Sequence, residues 1–350
     1  MAPLDENIHT LAEVAADWRD PDHPRRAKAR AETLDAPNRW TEQALTHALN
    51  RWMQRLTVEG LTDWLGEEAP SASLRVGVLH AESGPLAGLR DALAAWALGH
   101  EYVGHVPESS PAILPAVAED AVERGLSGSI QFRDEADVIA DADVVLAQPA
   151  ESPDAIREAC DEAGIPPDRR LIRSPVYSIG VVDGHESEDE MERMAEDMLL
   201  FEGLGRRRLA LLWAPADQSP DAVLQAMARF RGLFPAHPDT PGTLQMQQAF
   251  LEAHDDPHAY ADGLEFLVSR GEPEPQRPGH VRWTEYESLE EVEEWAADHD
   301  DALYRLIARP GLHDQLPAER IRSPGGVHVP PLDDEDGREG VAFLREGERG

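Results

Sequence analysis

The sequence EDMLLFEGLGRRRLALLWAP, residues 196–215, joins a helical pattern to a strand pattern through a glycine turn. The residues that lead up to the glycines predict a helix over 188–202. Gly203-Leu204-Gly205 marks the turn, and the apolar run after it predicts a strand over 208–213. A helix that passes directly into a strand is typical of an α/β protein.

The same alternation of strands and helices runs through the residues before this stretch. We predict strands at 74–80, 102–106, 129–132, 143–147, 170–173 and 179–182, and helices at 86–98, 111–123 and 154–162. Strands separated by helices of about 10–15 residues favour βαβ units and a mostly parallel sheet. The predicted fold class is therefore α/β, with right-handed crossovers.

Helices are predicted on both sides of this region. We interpret residues 1–70 as a helical segment in which Leu45, Leu49 and Met53 belong to an apolar stripe. Thr57 is placed to cap a second helix. After Pro215 the pattern predicts helices at 221–233, 243–253 and 289–299, with extended segments at 280–286 and 304–308.

The composition excludes several kinds of site. The chain of 350 residues has one cysteine, which excludes an intramolecular disulfide and a cysteine-rich metal site. It has no run of about 18 apolar residues that could span a membrane and no secretory leader, so we expect a cytoplasmic location. It also has no paired-histidine zinc motif and no basic patch of a size useful for nucleic acid.

The charge is strongly acidic: 68 Asp and Glu residues oppose 32 Lys and Arg residues, for a formal net charge of −36. Lys28 is the only lysine, and the acidic residues are spread along the whole chain. We interpret this pattern as adaptation to a cytosol of very high salt, where the Debye length falls to about 3 Å at 1 M and like charges hardly repel. The alternative is an acidic protein that binds cationic partners.

Several segments resemble the acyl-CoA reductases related to the bioluminescence fatty-acid reductase, a branch of the aldehyde dehydrogenase superfamily. Residues 196–215 resemble their active-site segment, and 286–308 and 332–344 resemble two segments nearer their C-terminus. Matching residues nearer the N-terminus are Ala81, Pro85, Leu86, Gly88, Asp91, Leu93, Gly99, His100, Ile172, Arg173, Ser178, Val181, Gly184 and Glu186. The resemblance extends from about Trp40 to Leu344.

The resemblance implies an aldehyde-dehydrogenase-like fold, with a doubly wound cofactor domain and a second α/β domain of the catalytic type. We place a helical N-terminal segment at 1–70, the dinucleotide-binding domain at 71–200 plus 319–350, and the catalytic-type domain at 201–318. The functional site is expected between the two domains.

The resemblance also implies a reaction. In these enzymes a cysteine thiolate attacks an acyl-CoA or another activated fatty acid, and NADPH or NADH then reduces the acyl group to an aldehyde. In this chain Arg206 stands at the position of that cysteine, and a guanidinium is not nucleophilic. Glu186 is the candidate general base. The candidates to replace the nucleophile are Cys160 and the hydroxyls of Ser83, Ser109 and Ser110, for which the sequence identifies no paired base.

The cofactor contacts implied by the resemblance lie in four places. Candidate residues are Ser83, Gly84 and Pro85 after the first strand, His105 at the position of the family's lysine, Gln148 after the strand 143–147, and Gly205. Glu82 places a carboxylate in a loop where the family has glycine. The run Arg206–Arg208 is interpreted either as a cationic site for phosphates or as arginines paired with nearby carboxylates, those of Glu196, Asp197 or Glu202.

These residues leave three hypotheses open. The protein is an acyl-CoA reductase of altered or feeble activity, a non-catalytic relative that binds acyl-CoA or a nucleotide, or a partner subunit of an active homologue in a homo- or hetero-oligomer. An exposed apolar strip at a sheet edge favours the third hypothesis. A deep pocket lined by Arg206, His105 and His100 favours the first two.

The acidic surface predicts a dependence on salt. We expect the chain to lose structure at low ionic strength, because the repulsion among its carboxylates is then unscreened. Thermal melting followed by circular dichroism at about 0.1 M and 3 M KCl tests this. A melting temperature that is the same at both concentrations would rule out the interpretation.

Overall fold

The structure, a computed structural model, describes residues 4–70, 72–149, 152–317 and 320–346. The chain folds into two compact units. The first contains the described residues up to Asn38, Leu45–Pro175 and those from Val329 onward, and the second contains Arg39–Ala44 and Val176–His328. Residues 318 and 319, at the predicted domain boundary, lie outside the described residues.

The first unit is built on a parallel sheet with the strand order β3-β2-β1-β4-β5. Its strands are β1 (Arg75–Leu79), β2 (Glu101–His105), β3 (Ile130–Phe132), β4 (Val144–Ala147) and β5 (Arg170–Ile172). The helices between them are α5 (Leu89–Ala97), α6 (Ile113–Glu123), α7 (Glu135–Asp141) and α8 (Asp154–Glu162). The chain adds strands first on one side of β1 and then on the other, so the sheet is doubly wound, with a topological switch point between β1 and β4.

Further helices complete the first unit and confirm the predicted helical segment. They are α1 (Leu4–Asp17), α2 (Pro24–Leu34), α3 (Glu42–Arg55) from Leu45 onward, α4 (Val58–Leu65) and α13 (Glu335–Glu346). The predicted stripe of Leu45, Leu49 and Met53 is fully buried. The Thr57 hydroxyl accepts the Gly60 N–H at 3.0 Å, which confirms the predicted cap of α4.

The second unit contains a larger sheet with the order β12-β11-β6-β7-β10-β9-β8. Its strands are β6 (Tyr177–Val181), β7 (Leu209–Pro215), β8 (His258–Tyr260), β9 (Leu267–Arg270), β10 (His280–Tyr286), β11 (Leu303–Ala308) and β12 (Ile321–Arg322). The helices are α9 (Glu188–Leu199), α10 (Asp221–Leu233), α11 (Thr240–Ala253) and α12 (Leu289–Asp298). The pairings are parallel except for that of β8 with β9.

Strand pairing changes the assignment of one predicted strand. The strand predicted at 179–182 falls within the predicted cofactor domain, but β6 pairs with β7 and β11 and so belongs to the second sheet. Helix α9 therefore connects two neighbouring strands of one sheet. As a result the compact units divide after Pro175, and the chain returns to the first unit at Val329. The helix α7 and the strands β8 and β9 have no counterpart in the prediction.

A buried ionic network lies at the carboxyl ends of β4 and β5. Arg173, directly after β5, donates from Nη1 to both carboxylate oxygens of Asp91, at 3.2 and 3.0 Å. The side-chain amide of Gln148, directly after β4, donates to the same carboxylate at 2.8 Å. Arg173 also donates to the Asp336 carbonyl and the Glu339 carboxylate of α13, each at 3.0 Å. The network joins α5, two strand ends and the last helix.

Removal of the buried cation is expected to destabilise the first unit. Arg173→Ala should lower the free energy of unfolding by about 3–5 kcal/mol, because it leaves the Asp91 carboxylate buried without its partner. The control Arg157→Ala removes an exposed pair with Asp154 and should cost less than about 1 kcal/mol. Chemical denaturation at constant high salt measures both. Equal losses in the two variants would contradict this role of Arg173.

Candidate functional site

Most of the predicted cofactor residues lie at the carboxyl edge of the first sheet. Ser83, Gly84 and Pro85 are in the loop between β1 and α5, His105 is the last residue of β2, and Gln148 directly follows β4. The carboxyl ends of parallel strands meet at one edge, and ligands of doubly wound sheets bind there, next to the switch point. The structure thus brings these residues to the edge at which a ligand is expected.

The loop from Ala81 to Gly88 is partly open to solvent. Pro85 is buried, Ser83 and Gly84 are half-buried, and the side chain of Glu82 is exposed. A Cβ built on Gly84 would meet no other atom within 4 Å, so a ligand has room to approach the backbone at this point. Because Glu82 is exposed to solvent, its carboxylate can be hydrated and is not forced toward a bound phosphate.

A histidine–tyrosine pair that the sequence pattern does not predict anchors this loop. The His80 ring bonds through Nδ1 to the Ala87 carbonyl at 2.8 Å and through Nε2 to the Tyr102 hydroxyl at 2.6 Å. Since a carbonyl only accepts, Nδ1 carries the proton and the hydroxyl donates to Nε2. Burial lowers the pKa of His80 to about 4, so the ring is neutral at physiological pH. Gly88, at φ +81°, is required beside it, because a Cβ there would lie 2.6 Å from Nδ1.

His105 and Gln148 differ in what their side chains already contact. The His105 ring is half-buried, and its Nδ1 lies 3.2 Å from the Arg133 carbonyl, which leaves Nε2 directed away from that bond. Gln148 is buried and is committed to Asp91 in the ionic network. Of these two predicted cofactor residues, His105 is the one that can present a polar atom to a ligand.

The glycine turn at residues 201–205, in the second unit, has an unusual backbone. Phe201 and Glu202 both have a left-handed conformation, with φ of 55° and 59°, and Gly203 and Gly205 have φ of 68° and 116°. This is why α9 ends at Leu199 and not at 202 as predicted. Non-glycine residues in this region are strained and persist only where the surroundings hold them.

A buried ion pair holds the turn in place. The two carboxylate oxygens of Glu202 each accept a hydrogen bond from Arg231, at 3.1 Å, and one of them also accepts the Thr240 hydroxyl. Gly203 has no room for a side chain, because a Cβ there would lie 2.8 Å from the Gly279 nitrogen. Of the carboxylates predicted to pair with the arginines of 206–208, that of Glu202 is therefore bound to Arg231.

Arg206 lies between this turn and the amino end of β7. The guanidinium groups of Arg206 and Arg207 lie 5.9 and 5.2 Å from the centre of the Tyr304 ring, and that of Arg305 lies 4.4 Å from it. Such distances are typical of cation–π contacts. Three arginines thus gather around one aromatic ring at the predicted position of the family's nucleophile, and none of them can attack an acyl group.

Glu186 and Arg206 lie at opposite ends of the strands of the second sheet. It follows the carboxyl end of β6, whereas Arg206 precedes the amino end of β7, and the two strands are parallel neighbours. Its carboxylate accepts the backbone N–H groups of Asp183 and Gly184, at 2.8 and 3.1 Å. Burial is the main reason that the pKa of Glu186 is raised. The structure therefore places the two predicted catalytic residues apart, with Glu186 closing a turn.

Cys160 is buried on α8 within an apolar cluster of the first unit. Burial raises the pKa of its thiol, which opposes formation of the thiolate that a nucleophile requires. Within the described ranges, no group of three or more His, Cys, Asp or Glu residues could hold a metal ion. Over those ranges no helix is long and apolar enough to cross a membrane.

Comparison with known proteins identifies the fold. No protein-family model matches the chain, and no curated protein matches its sequence. Indole-3-acetaldehyde dehydrogenase in complex with NAD+ aligns with 88% of this chain and 72% of its own, at a TM-score of 0.67 and 15% identity. Aldehyde dehydrogenase 21 from Physcomitrella patens, in complex with succinate, aligns over 99% and 84%, at a TM-score of 0.69 and 12% identity.

A third solved structure leads to the same fold. Betaine aldehyde dehydrogenase from Staphylococcus aureus aligns with 98% of this chain and 74% of its own, at a TM-score of 0.64 and 14% identity. The predicted aldehyde-dehydrogenase-like α/β fold is thus confirmed. At such low identity the likeness concerns the fold and leaves the activity to be argued from the residues.

The environment of Cys160 predicts an unreactive thiol. In the native protein a thiol reagent should modify it at least about a hundredfold more slowly than in the denatured chain, because reaction requires local opening and a thiolate. A disulfide reagent that releases a coloured thiolate when it reacts with a thiol measures the two rates, with and without denaturant. Rapid modification of the native protein would show that Cys160 is accessible and restore it as a candidate nucleophile.

Proposed function

We propose that this protein is a non-catalytic relative of the aldehyde dehydrogenases that binds NADPH or NADH. The observation that carries the proposal is the burial of Cys160, the only cysteine of the chain. The family resemblance, which places Arg206 at the position of the nucleophile, leads to the same proposal. Thiol-dependent acyl transfer requires a thiolate that can reach its substrate. A buried thiol of raised pKa does not meet that requirement.

The position of Glu186 supports the same proposal. A general base must lie within hydrogen-bond reach of the proton that it removes. Glu186 accepts two backbone N–H groups at the sheet edge opposite Arg206, so it cannot act on a group bound to position 206. Restoring the thiol alone would therefore leave the site without this base.

The carboxyl edge of the first sheet fits a dinucleotide at the loop after β1. The open approach to the Gly84 backbone, the half-buried Ser83 hydroxyl and the Nε2 atom of His105 are the groups that would hold the ribose and phosphate oxygens. Indole-3-acetaldehyde dehydrogenase, which shares the fold, has been solved with NAD+. When bound, such a cofactor supplies hydride chemistry, and the residues described here supply binding alone.

Acyl-CoA reduction is the activity that the sequence resemblance implies, and the proposal predicts that it is lost. The reaction would need a substitute nucleophile, and of the candidate hydroxyls Ser109 and Ser110 are buried whereas Ser83 is half-buried. His80 lies three residues before it in sequence, but both of its ring nitrogens are hydrogen-bonded within the fold. His80 is therefore not available to activate Ser83.

Fluorescence titration with NADPH and NADH in about 3 M KCl tests the proposal, followed by a search for acyl-CoA-dependent loss of cofactor absorbance. We expect saturable binding of at least one cofactor and no turnover. His105→Ala should weaken binding about tenfold, the loss of one hydrogen bond to the ligand. His9→Ala, at an exposed position of α1, is the matched control and should bind as the unchanged protein does.

The outcomes separate the hypotheses. Turnover in the unchanged protein would overturn the non-catalytic assignment and make Ser83 the first residue to substitute. Absence of binding by either cofactor would overturn the cofactor assignment. Binding that is equally weakened by His105→Ala and His9→Ala would place the cofactor away from the edge of the first sheet.

A further inference from the structure

Three polar side chains of the second unit form a buried relay of hydrogen bonds. Ser269 lies on β9, His280 begins β10, and Gln247 lies on α11. The Ser269 hydroxyl is 2.7 Å from Nε2 of the His280 ring, and Nδ1 of the same ring is 2.8 Å from Oε1 of Gln247. Ser269 is 1% exposed and His280 is 3% exposed. The cofactor binding proposed above uses none of the three.

The partners of the His280 ring fix the direction of the hydrogen bonds. The amide oxygen of Gln247 can only accept, so Nδ1 carries the proton. Nε2 is then an acceptor, and the Ser269 hydroxyl donates to it. Burial is the main reason that the pKa of His280 is lowered to about 3, so the ring is neutral at physiological pH. A serine that donates to an imidazole, itself held from its other side, is the arrangement that activates a hydroxyl as a nucleophile.

A cationic donor lies beside the serine. Arg282, on β10, is the register partner of Ser269, so the two side chains project from the same face of the sheet. Nη1 of Arg282 donates to the Arg270 carbonyl at 3.2 Å. Its Nε atom is buried, and within the described ranges no acceptor bonds to it. An N–H group in this position can donate to the oxyanion that forms when a serine attacks a carbonyl group.

The relay lies just below the surface of the unit. Gln247, Arg282 and His258, the register partner of Ser269 on β8, are half-buried. Helix α11, which covers the relay, packs on the sheet through a small apolar cluster of four leucines, Leu244, Leu251, Leu264 and Leu267. Segments with few buried apolar contacts open locally with a low free energy. A small substrate therefore reaches Ser269 when α11 moves.

The charges around Arg282 favour an uncharged substrate. Burial lowers the pKa of the guanidinium, and the carboxylates of Glu274, Asp256 and Glu272 act in the opposite direction. These three carboxylates repel an anionic ligand, such as a thioester that carries phosphates. An uncharged carboxylic ester meets no such repulsion.

We propose that Ser269 is the nucleophile of a site, separate from the cofactor edge, that hydrolyses uncharged carboxylic esters. As the Ser269 oxygen attacks the carbonyl carbon, its proton passes to Nε2 of His280, and Nε of Arg282 donates to the oxyanion. The proton then moves to the departing alcohol as the ester C–O bond breaks. Water attacks the acyl-serine in the same way, releases the carboxylic acid and returns the proton to the serine oxygen. An ester and water give an acid and an alcohol, with no oxidation or reduction and no cofactor.

Gln247 is a positioning residue in this scheme, because it acts through His280. Its amide holds the tautomer, but a neutral amide stabilises the imidazolium less than a carboxylate does. With the low pKa of His280, this predicts a slow reaction. Gln247→Glu should raise the rate about tenfold, which corresponds to one pKa unit of stabilisation of the imidazolium. A side chain with a purely structural role would give no faster hydrolysis when it is changed in this way.

Hydrolysis of p-nitrophenyl acetate in about 3 M KCl, without NADPH or NADH, tests the proposal. We expect release of p-nitrophenolate, and a fluorophosphonate should label the unchanged protein at Ser269, as located by peptide mass spectrometry. Ser269→Ala should remove the label and lower the rate about a hundredfold or more. Ser73→Ala, at an exposed serine of the first unit, is the matched control and should leave both unchanged. Cys160→Ala should also hydrolyse the ester at the original rate, since its thiol is buried.

Labelling of the unchanged protein needs no substitution, so it tests the proposal even if a variant fails to fold. A fluorophosphonate that labels no residue, or a residue other than Ser269, would overturn the proposal. Hydrolysis that survives Ser269→Ala would do the same. Titration with NADPH and NADH reports on the edge of the first sheet and should give the same result for every variant, which keeps the two proposals separate.

Discussion

The burial of the Arg173 guanidinium against Asp91 is the constraint on which the first unit depends. A charge can leave water only if it is paired and hydrogen-bonded, and both side chains here are about 95% inaccessible. Gln148, at the end of β4, donates a hydrogen bond to Asp91, and Arg173 donates one to Glu339 of the last helix. The pair is one of the contacts that hold the last helix in the first unit. Because Gln148 follows β4 and Asp91 lies on α5, the helix after β1, the network connects the elements on the two sides of the switch point.

Local features of the fold could be predicted from the sequence because they depend on neighbours along the chain. The buried stripe of α3 follows from helical spacing, and the Thr57 cap follows from a hydroxyl placed three residues before an N–H. The membership of β6 in the second sheet could not be predicted, because its partners β7 and β11 lie far along the chain. The strand β8, which has only three residues, is too short for its periodicity to be recognised.

The same distinction applies to the candidate site. The apolar runs of β1, β2 and β4 indicate where these strands end, and parallel strands share one carboxyl edge, so the residues that follow them could be placed together. The His80–Tyr102 pair and the Glu202–Arg231 pair could not, since each joins residues more than 20 positions apart. Nor could the separation of Glu186 from Arg206, which depends on the direction in which β6 and β7 pair. The left-handed backbone conformation of Phe201 and Glu202 could not be predicted either, because it is rare at residues of these types.

The buried network also divides the molecule into parts that respond differently to ions in the solvent. Mobile ions screen charges that water reaches, and they act only weakly on a pair enclosed by protein. The carboxylates that cover this chain thus sense the ionic strength, whereas Arg173 and Asp91 are shielded from it. Dilution of the medium would first strengthen the repulsion among the exposed carboxylates, while the attraction between Arg173 and Asp91 would change little. The exposed carboxylates therefore respond to the ionic strength of the medium, and the buried pair responds far less.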